Sequence, residues 1–394
     1  MEPAHVRADH DAPVSGRARE IGPELRAIRA RDVRLFAARP AGHRRQAEVV
    51  RDLGGSRSRR IAHTPSSPPI SCQKVSGAVG LVWHERFAGR GFVPRRASWS
   101  RYALAVSSFA DRGFFRQGLR VFGTPPAGDD ELASVHTAAY LRFLRELDGR
   151  GEGFVDGAQT PAYRGMYFRG ALAVGGTLLA TRLVTGGTVA HAFNPAGGLH
   201  HAHPDRASGF CIFNDIAVAV RDLRARGVRR VAILDVDAHH GDGTQAIFWD
   251  EDVLVVSLHE HGAGFFPGTG GTDETGIGDG AGCTLNLPLA RGTSNRAFLR
   301  ALDLALVRIG GYRPEILLVQ FGTDGHADDR FSHLELSDDA YIAVAERAHA
   351  LAHDVCGGAL VMFGGGGYVP ETVARVWTSA LGTIGGFRML GRDG

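Results

Sequence analysis

Long apolar runs are missing from this chain of 394 residues. The most hydrophobic stretches, Val231–Leu234 and Ile316–Val319, stop far short of the roughly 20 residues a membrane-spanning helix needs, so no membrane partner is expected. Cysteine is scarce as well: Cys72, Cys211, Cys283 and Cys356 are the four, and no CxxC pair occurs among them, which argues against a disulfide framework. No basic start followed by an apolar stretch marks a secretory signal, and a reducing cytoplasm is the expected location. Aromatic residues are nearly absent from the first 76 positions, where Phe36 stands alone among 15 Arg and Lys and 8 Asp and Glu. Without aromatic interleaving this basic stretch reads as a solvated, poorly ordered leader and not as a nucleic-acid tail. The remainder, residues 77–394, carries 30 basic against 34 acidic residues, a mildly acidic body for which no nucleic-acid partner is expected.

What that body does have is alternation. Short β-branched runs at 188–193, 231–236, 253–258, 316–321 and 359–363 read as buried strands, since they are nearly continuous apolar segments bounded by glycine or polar residues. Amphipathic stretches at about 171–184, 213–226, 294–309, 338–355 and 371–380 predict helices between them, with Ser337 as an N-cap and Pro370 in a first turn. Such alternation is the pattern of a single α/β domain, a parallel sheet with helices on both faces. The glycine-rich connection 260–281, which contains Phe265 and Phe266, is too irregular for a helix and too apolar for a plain linker, and reads as a rim loop.

Chemistry-bearing residues follow the strands. Ligands of open α/β sheets bind beyond the carboxyl ends of the strands. There the sequence places His200-His201, then Asp235-Val-Asp237-Ala-His239-His240-Gly-Asp242, then Ser257-Leu-His259, then Asp324, then Gly364-Gly-Gly-Gly-Tyr368. In an extended segment Asp235, Asp237 and His239 share a face. With Asp324 they supply a set of oxygen and nitrogen donors that suits a catalytic zinc ion, although Fe(II) or Mn(II) accepts the same ligands and loop capping accounts for the carboxylates singly. His200 and His201 supply a proton acceptor and donor, and Asp235 and Asp242 remain to orient the imidazoles through their second nitrogens.

The ordered series Pro195–Ala202, Ser208–Asp215, Asp235–Thr244, Val256–His259, Gly264–Gly270 and Gly364–Tyr368 resembles the motifs of the zinc-dependent histone deacetylases, and the chain is most similar to their bacterial acetoin utilization protein branch. The resemblance runs from about residue 80 to 385. It implies an arginase/deacetylase fold around an eight-stranded parallel sheet, with zinc on Asp237, His239 and Asp324. It implies His201 as general base and acid paired with Asp242, His200 as its electrostatic partner paired with Asp235, and Tyr368 as donor to the scissile carbonyl. Substrate contacts are implied at Gly209, Phe210, Phe266, Gln159 and Gly366, with the two phenylalanines walling a channel. A structural potassium ion is implied at Asp235, Asp237, His239, Ser257 and Leu258. Arg96 resembles an arginine of the acetate-release channel.

The chain departs from the family where Gln159 replaces an aspartate that grips a peptide backbone, and where Asp329-Arg330 stands for Asp-Pro. The expected substrate is an acetylated protein, peptide or small amine. An acetylpolyamine amidohydrolase is the alternative within the same mechanism. A binuclear manganese ureohydrolase would need an acidic residue where His326 stands, and a non-catalytic acetyl-lysine reader would not need Tyr368 and the histidine pair.

Overall fold

The computed structural model describes residues 78–88, 98–157 and 159–389; the expected leader, residues 1–76, lies outside them, as do Cys72 and Arg96. Within the described residues eight strands form one sheet: β1 Val79–Trp83, β2 Arg120–Gly123, β3 His191–Asn194, β4 Val231–Asp235, β5 Leu254–Glu260, β6 Thr284–Leu289, β7 Ile316–Gln320 and β8 Leu360–Phe363. Their spatial order is β2-β1-β3-β8-β7-β4-β5-β6, and every neighbouring pair is parallel. This is the expected α/β architecture.

The five expected strands are inner ones, and each is buried along its whole length. Successive side chains turn to opposite faces. Ile233, Val255, Leu318 and Val361 join the core beneath the Met166–Thr185 and Asp215–Ala225 helices, where Ala180, Val184, Ile216 and Val220 meet them. On the other face Phe193 packs edge-on to Trp377 of the Pro370–Gly385 helix, and Phe321 edge-on to Tyr341 of the Asp338–Cys356 helix, with ring centroids 5.3 and 5.7 Å apart. A side chain of this size contributes about 1.5–3 kcal/mol on burial, so covering both faces is what forces near-continuous apolar runs.

Strands β1, β2 and β6 were not expected from the sequence pattern. The edge strand β2 alternates between partly buried and exposed residues and β6 mixes buried with partly buried ones, which dilutes their apolar content, and Pro288 in β6 suits an edge where one N–H has no partner strand. Ser337 occupies the N-cap position of its helix and Pro370 the first turn of the last, as expected. The 260–281 connection is irregular apart from one 3-10 turn at Gly278–Gly280. No helix among the described residues is long and apolar enough to cross a membrane.

Asn214 and His136 link the sheet's loops to its helices. Asn214 caps the Asp215–Ala225 helix by accepting from Ala217 N–H at 3.0 Å, and its amide donates to the Ala202 carbonyl at 3.1 Å. Its backbone N–H donates to His136 Nε2 at 3.0 Å, so His136 must carry its proton on Nδ1, which donates to the His203 carbonyl at 3.1 Å. Burial pushes His136 down to about 4. The unfolded chain takes up this proton near pH 6.5, the folded chain only near pH 4, so the stabilisation by neutral His136 is complete above the unfolded value and is lost as pH falls through that window. The unfolding free energy of wild type minus that of His136→Gln is therefore expected to shrink by about 2–3 kcal/mol from pH 6.5 to pH 4, measured by denaturant titration. A difference that stays constant across this range would show that His136 is not held neutral.

Candidate active site

The five strand ends singled out in the sequence belong to β3, β8, β7, β4 and β5, which are consecutive in the sheet, so their C-terminal loops meet in one crevice. Asp237 and His239, just past β4, and Asp324, just past β7, each present a ligand atom, and these atoms lie within 4.8 Å of one another. His239 Nδ1 is 2.9 Å from Asp324 Oδ2 and 3.3 Å from Asp237 Oδ1. The second oxygen of each carboxylate is anchored by nitrogen donors: Asp237 Oδ2 accepts from Gln320 Nε2 and Gly366 N–H, both at 2.8 Å, and Asp324 Oδ1 from Ala238 N–H at 2.9 Å. Gly322 permits the closest of these approaches, since a side chain there would collide with the Asp237 carboxylate.

The charge balance of this set identifies what it lacks. Burial opposes charge on His239, but Asp324 and Asp237 outweigh it and raise the imidazole well above its ordinary value. Burial likewise opposes charge on Asp237, yet His200 and His239 hold that carboxyl well below the usual range. Asp324 is pushed up to about 6 by burial and then by the neighbouring negative charge of Asp237. Two buried carboxylates that draw their own imidazole into the charged form are short of positive charge, and an O, N, O donor set fits a divalent ion.

Asp235 belongs to a different pair. Its Oδ2 is 2.6 Å from His200 Nδ1, while Asp242 Oδ1 is 2.7 Å from His201 Nδ1, and the two imidazoles face each other with Nε2 atoms 3.1 Å apart. The adjacent histidines have opposite character. Burial disfavours charge on both, but Asp235, Asp237 and Asp242 raise His200 to about 9, whereas burial and the charge of His200 lower His201 to about 4. His203 shares Asp242, with Nε2 3.0 Å from Oδ2. Asp215 holds the turn that carries the pair, accepting from Gly198 N–H at 3.0 Å and Leu199 N–H at 2.7 Å. Gly198 itself has a φ of +93° and lies so close to Gly365 that any side chain would strike its backbone.

The sequence pattern described as Histone deacetylase domain matches residues 95–384. The chain belongs to the histone deacetylase family. It is 40% identical over 270 residues to the acetoin utilization protein AcuC of Bacillus subtilis (strain 168), covering 65% of this chain and 70% of the relative. It is 36% identical over 320 residues to a histone deacetylase-like amidohydrolase of Pseudomonas aeruginosa, covering 80% and 82%. Its fold is similar to that of an HDAC homolog crystallised with SAHA, with a TM-score of 0.71 and 33% identity, covering 79% of this chain and 85% of that one. This family member is accordingly a deacetylase of the amidohydrolase class, in the AcuC-like branch, and its family is a metal-dependent one.

Around the donor set of this histone deacetylase family chain, aromatic rings form the walls. Phe266 lies edge-on to His201 at 5.0 Å between ring centroids, and Phe210 faces Tyr368 at 6.4 Å. Phe210 has a φ of +67°, unusual for a non-glycine residue, and its N–H donates to Thr160 Oγ1 at 3.2 Å; Gly209 before it is packed against the His201 ring. Burial, followed by the charges of Asp324 and Asp237, raises the Tyr368 phenol well above its ordinary value. Gly366 places its N–H on Asp237, and its carbonyl accepts from Thr323 N–H at 2.9 Å. Ser257 is the register partner of Asp235 and is followed in β5 by Leu258. His259 Nε2 lies 3.1 Å from the Gly270 carbonyl and donates to it, so its Nδ1 accepts from the Ser257 hydroxyl at 2.8 Å and leaves the lone pairs of Ser257 Oγ for another partner. His326 faces away from the donor set, its ring nitrogens taken by Asp338 and the Asp328 N–H.

Several participants escaped the sequence. Phe265, read there only as part of a loop, stacks on His239 at 5.0 Å with an interplanar angle of 10°. Arg101 stands beside the glycine loop, where its guanidinium donates to the Gly367 carbonyl at 2.6 Å; the expected Arg96 lies outside the described residues. Asp329, singled out in the sequence only for the Arg330 that follows it, accepts from Tyr368 N–H at 2.6 Å. Gln320 ends β7 after an otherwise apolar run, and that polar residue in a buried strand was the available signal. Replacing it by Leu removes a donor to Asp237 Oδ2 and is expected to weaken divalent-ion binding at this centre by about 10–100-fold in a chelator competition. Asp324→Ala is expected to abolish binding there; equal affinity of Gln320→Leu and wild type would show that the Gln320 bond does not orient the ligand.

Proposed function

We propose that this chain is a zinc-dependent deacetylase that hydrolyses the amide of acetylated lysine in a protein or peptide, or of a related acylated amine, in the cytoplasm. The observation that carries this reading is the convergence of Asp237, His239 and Asp324 beside two His–Asp pairs of opposite proton affinity. Asp237, His239 and Asp324 would hold the metal, which when bound supplies Lewis acidity toward the acyl carbonyl and a lowered pKa for water.

The protein's own groups handle the protons. His201, neutral because burial and the charge of His200 depress it, accepts the proton of the attacking water at Nε2 while its Nδ1–H stays on Asp242. His200, held charged by Asp235, fixes the local potential 3.1 Å away. As the C–O bond forms and the C–N bond breaks, His201 returns the proton to the departing amine nitrogen, giving acetate and free amine. Tyr368 keeps its phenolic proton across the working range and donates it as a hydrogen bond to the developing oxyanion. The carbonyls of the Asp235–His239 segment, with Ser257 Oγ and the Leu258 backbone, are the oxygens proposed for a structural potassium ion. Tyr368→Phe is expected to lower kcat on the order of a hundredfold or more with little change in bound metal. Full turnover by that variant, with metal retained, would overturn the oxyanion role.

A preference for small acetylated amines over peptides is the second reading, and Gln159 favours it. Gln159 is exposed on the loop whose next residue, Thr160, holds Phe210, and Asp156 accepts from Gln159 N–H, Thr160 N–H and Thr160 Oγ1 at 2.8, 2.7 and 2.6 Å. Those bonds occupy Asp156 in shaping the loop. A neutral amide at position 159 accepts backbone N–H groups more weakly than a carboxylate does. Gln159→Asp is expected to shift the kcat/KM ratio toward acetyl-lysine peptide over acetylpolyamine by about five- to thirtyfold, or roughly 1–2 kcal/mol. An unchanged ratio would remove Gln159 from substrate choice.

A further inference from the structure

Three imidazoles converge at the end of the sheet opposite the carboxylates. His191 opens β3 and therefore stands at its N-terminal end, whereas the catalytic loops leave the C-terminal ends. His349 and His353 lie four residues apart on the Asp338–Cys356 helix and so share one face of it. That helix leads through Gly357 and Gly358 into β8, whose first residue, Leu360, is the register partner of His191. The topology thus brings both halves of the cluster to one place.

His349 Nε2 lies 3.0 Å from His191 Nε2 and 3.1 Å from His353 Nε2, with the three ring centroids between 4.6 and 5.2 Å apart. An imidazole nitrogen carries either a proton or a lone pair. The central Nε2 therefore cannot pass a hydrogen bond along: as a donor it divides one proton between two acceptors, and as an acceptor it offers one lone pair to two donors. A single cation satisfies three inward lone pairs without that conflict. The separations also suit one, because tetrahedral ligands at about 2.0–2.1 Å from zinc stand roughly 3.3 Å from each other. The donor set contains no oxygen, which disfavours magnesium and calcium.

We propose that His191, His349 and His353 form a second metal site for a borderline divalent transition ion such as zinc, held by three imidazoles with a remaining position open to solvent beside the exposed His353. The site is separate from the catalytic centre and ties the end of the Asp338–Cys356 helix to β3.

Full-length protein equilibrated with zinc chloride and a competing chromophoric chelator tests this. Wild type is expected to bind one more zinc ion than His349→Ala/His353→Ala, with kcat/KM of the double variant within about twofold of wild type. The single variant His353→Ala changes only an exposed side chain, and is expected to weaken that additional ion by about tenfold or more. Asp237→Ala is expected to lose the other ion and all activity. Equal zinc stoichiometry and affinity in wild type and both histidine variants would overturn the second site. Retention of the full zinc complement by Asp237→Ala would instead overturn the assignment of the catalytic centre, which keeps the two failures distinct.

Discussion

Asp235, Asp237 and Asp324 are 2%, 1% and 0% exposed and sit at the ends of the adjacent strands β4 and β7. Each buried charge of this kind costs several kcal/mol unless it is paired and hydrogen-bonded, and like charges side by side raise the cost further. The surrounding structure is arranged around that requirement. Gln320 Nε2, Gly366 N–H and Ala238 N–H donate to one oxygen each of Asp237 and Asp324, while His239 meets the others. Glycine at 322 is the residue that leaves space for the Asp237 carboxylate. Such a set fits a divalent ion, and it lies in the crevice left by five neighbouring strand ends.

The same carboxylates divide the labour between two neighbours in sequence. His200 and His201 have similar burial, and each has its own aspartate, yet His200 also feels Asp237 and thereby becomes the charged member of the pair. Its charge in turn keeps His201 neutral. A neutral imidazole and a charged one thus arise from one dipeptide. Tyr368 is coupled to the same centre through its loop: Asp329 takes the Tyr368 N–H and Arg101 takes the Gly367 carbonyl, so the four-glycine run is restrained at its tyrosine end by charged groups on either side.

Opposite polarity separates the two histidine-bearing regions. Parallel strands send all their C-terminal loops to one side, which concentrates carboxylates there, and leave their N-terminal ends to be closed by the preceding helices. His191, His349 and His353 meet at such a closure, with nitrogen donors alone. A mixed oxygen and nitrogen donor set at one end and an all-imidazole set at the other suit ions of different preference.

Much of this was already determined by the sequence. Strands covered on both faces must be apolar throughout, so β3, β4, β5, β7 and β8 were legible as runs, though the inner strand β1 was not, and the aspartates and histidines were legible because polar residues that end such runs stand out. The edge strands β2 and β6 were not, because half-burial dilutes their pattern to that of any loop. Only the tertiary structure made the five strand ends consecutive, since strand order is set by helix crossovers that no local pattern records. It alone placed Arg101 at the glycine loop, stacked Phe265 on His239 and brought His191 to His349, contacts between residues distant in the chain. The proton affinities of His200 and His201 were decided in the same way: identical side chains acquire opposite character from the charges and burial around them, and those exist only once the chain is folded.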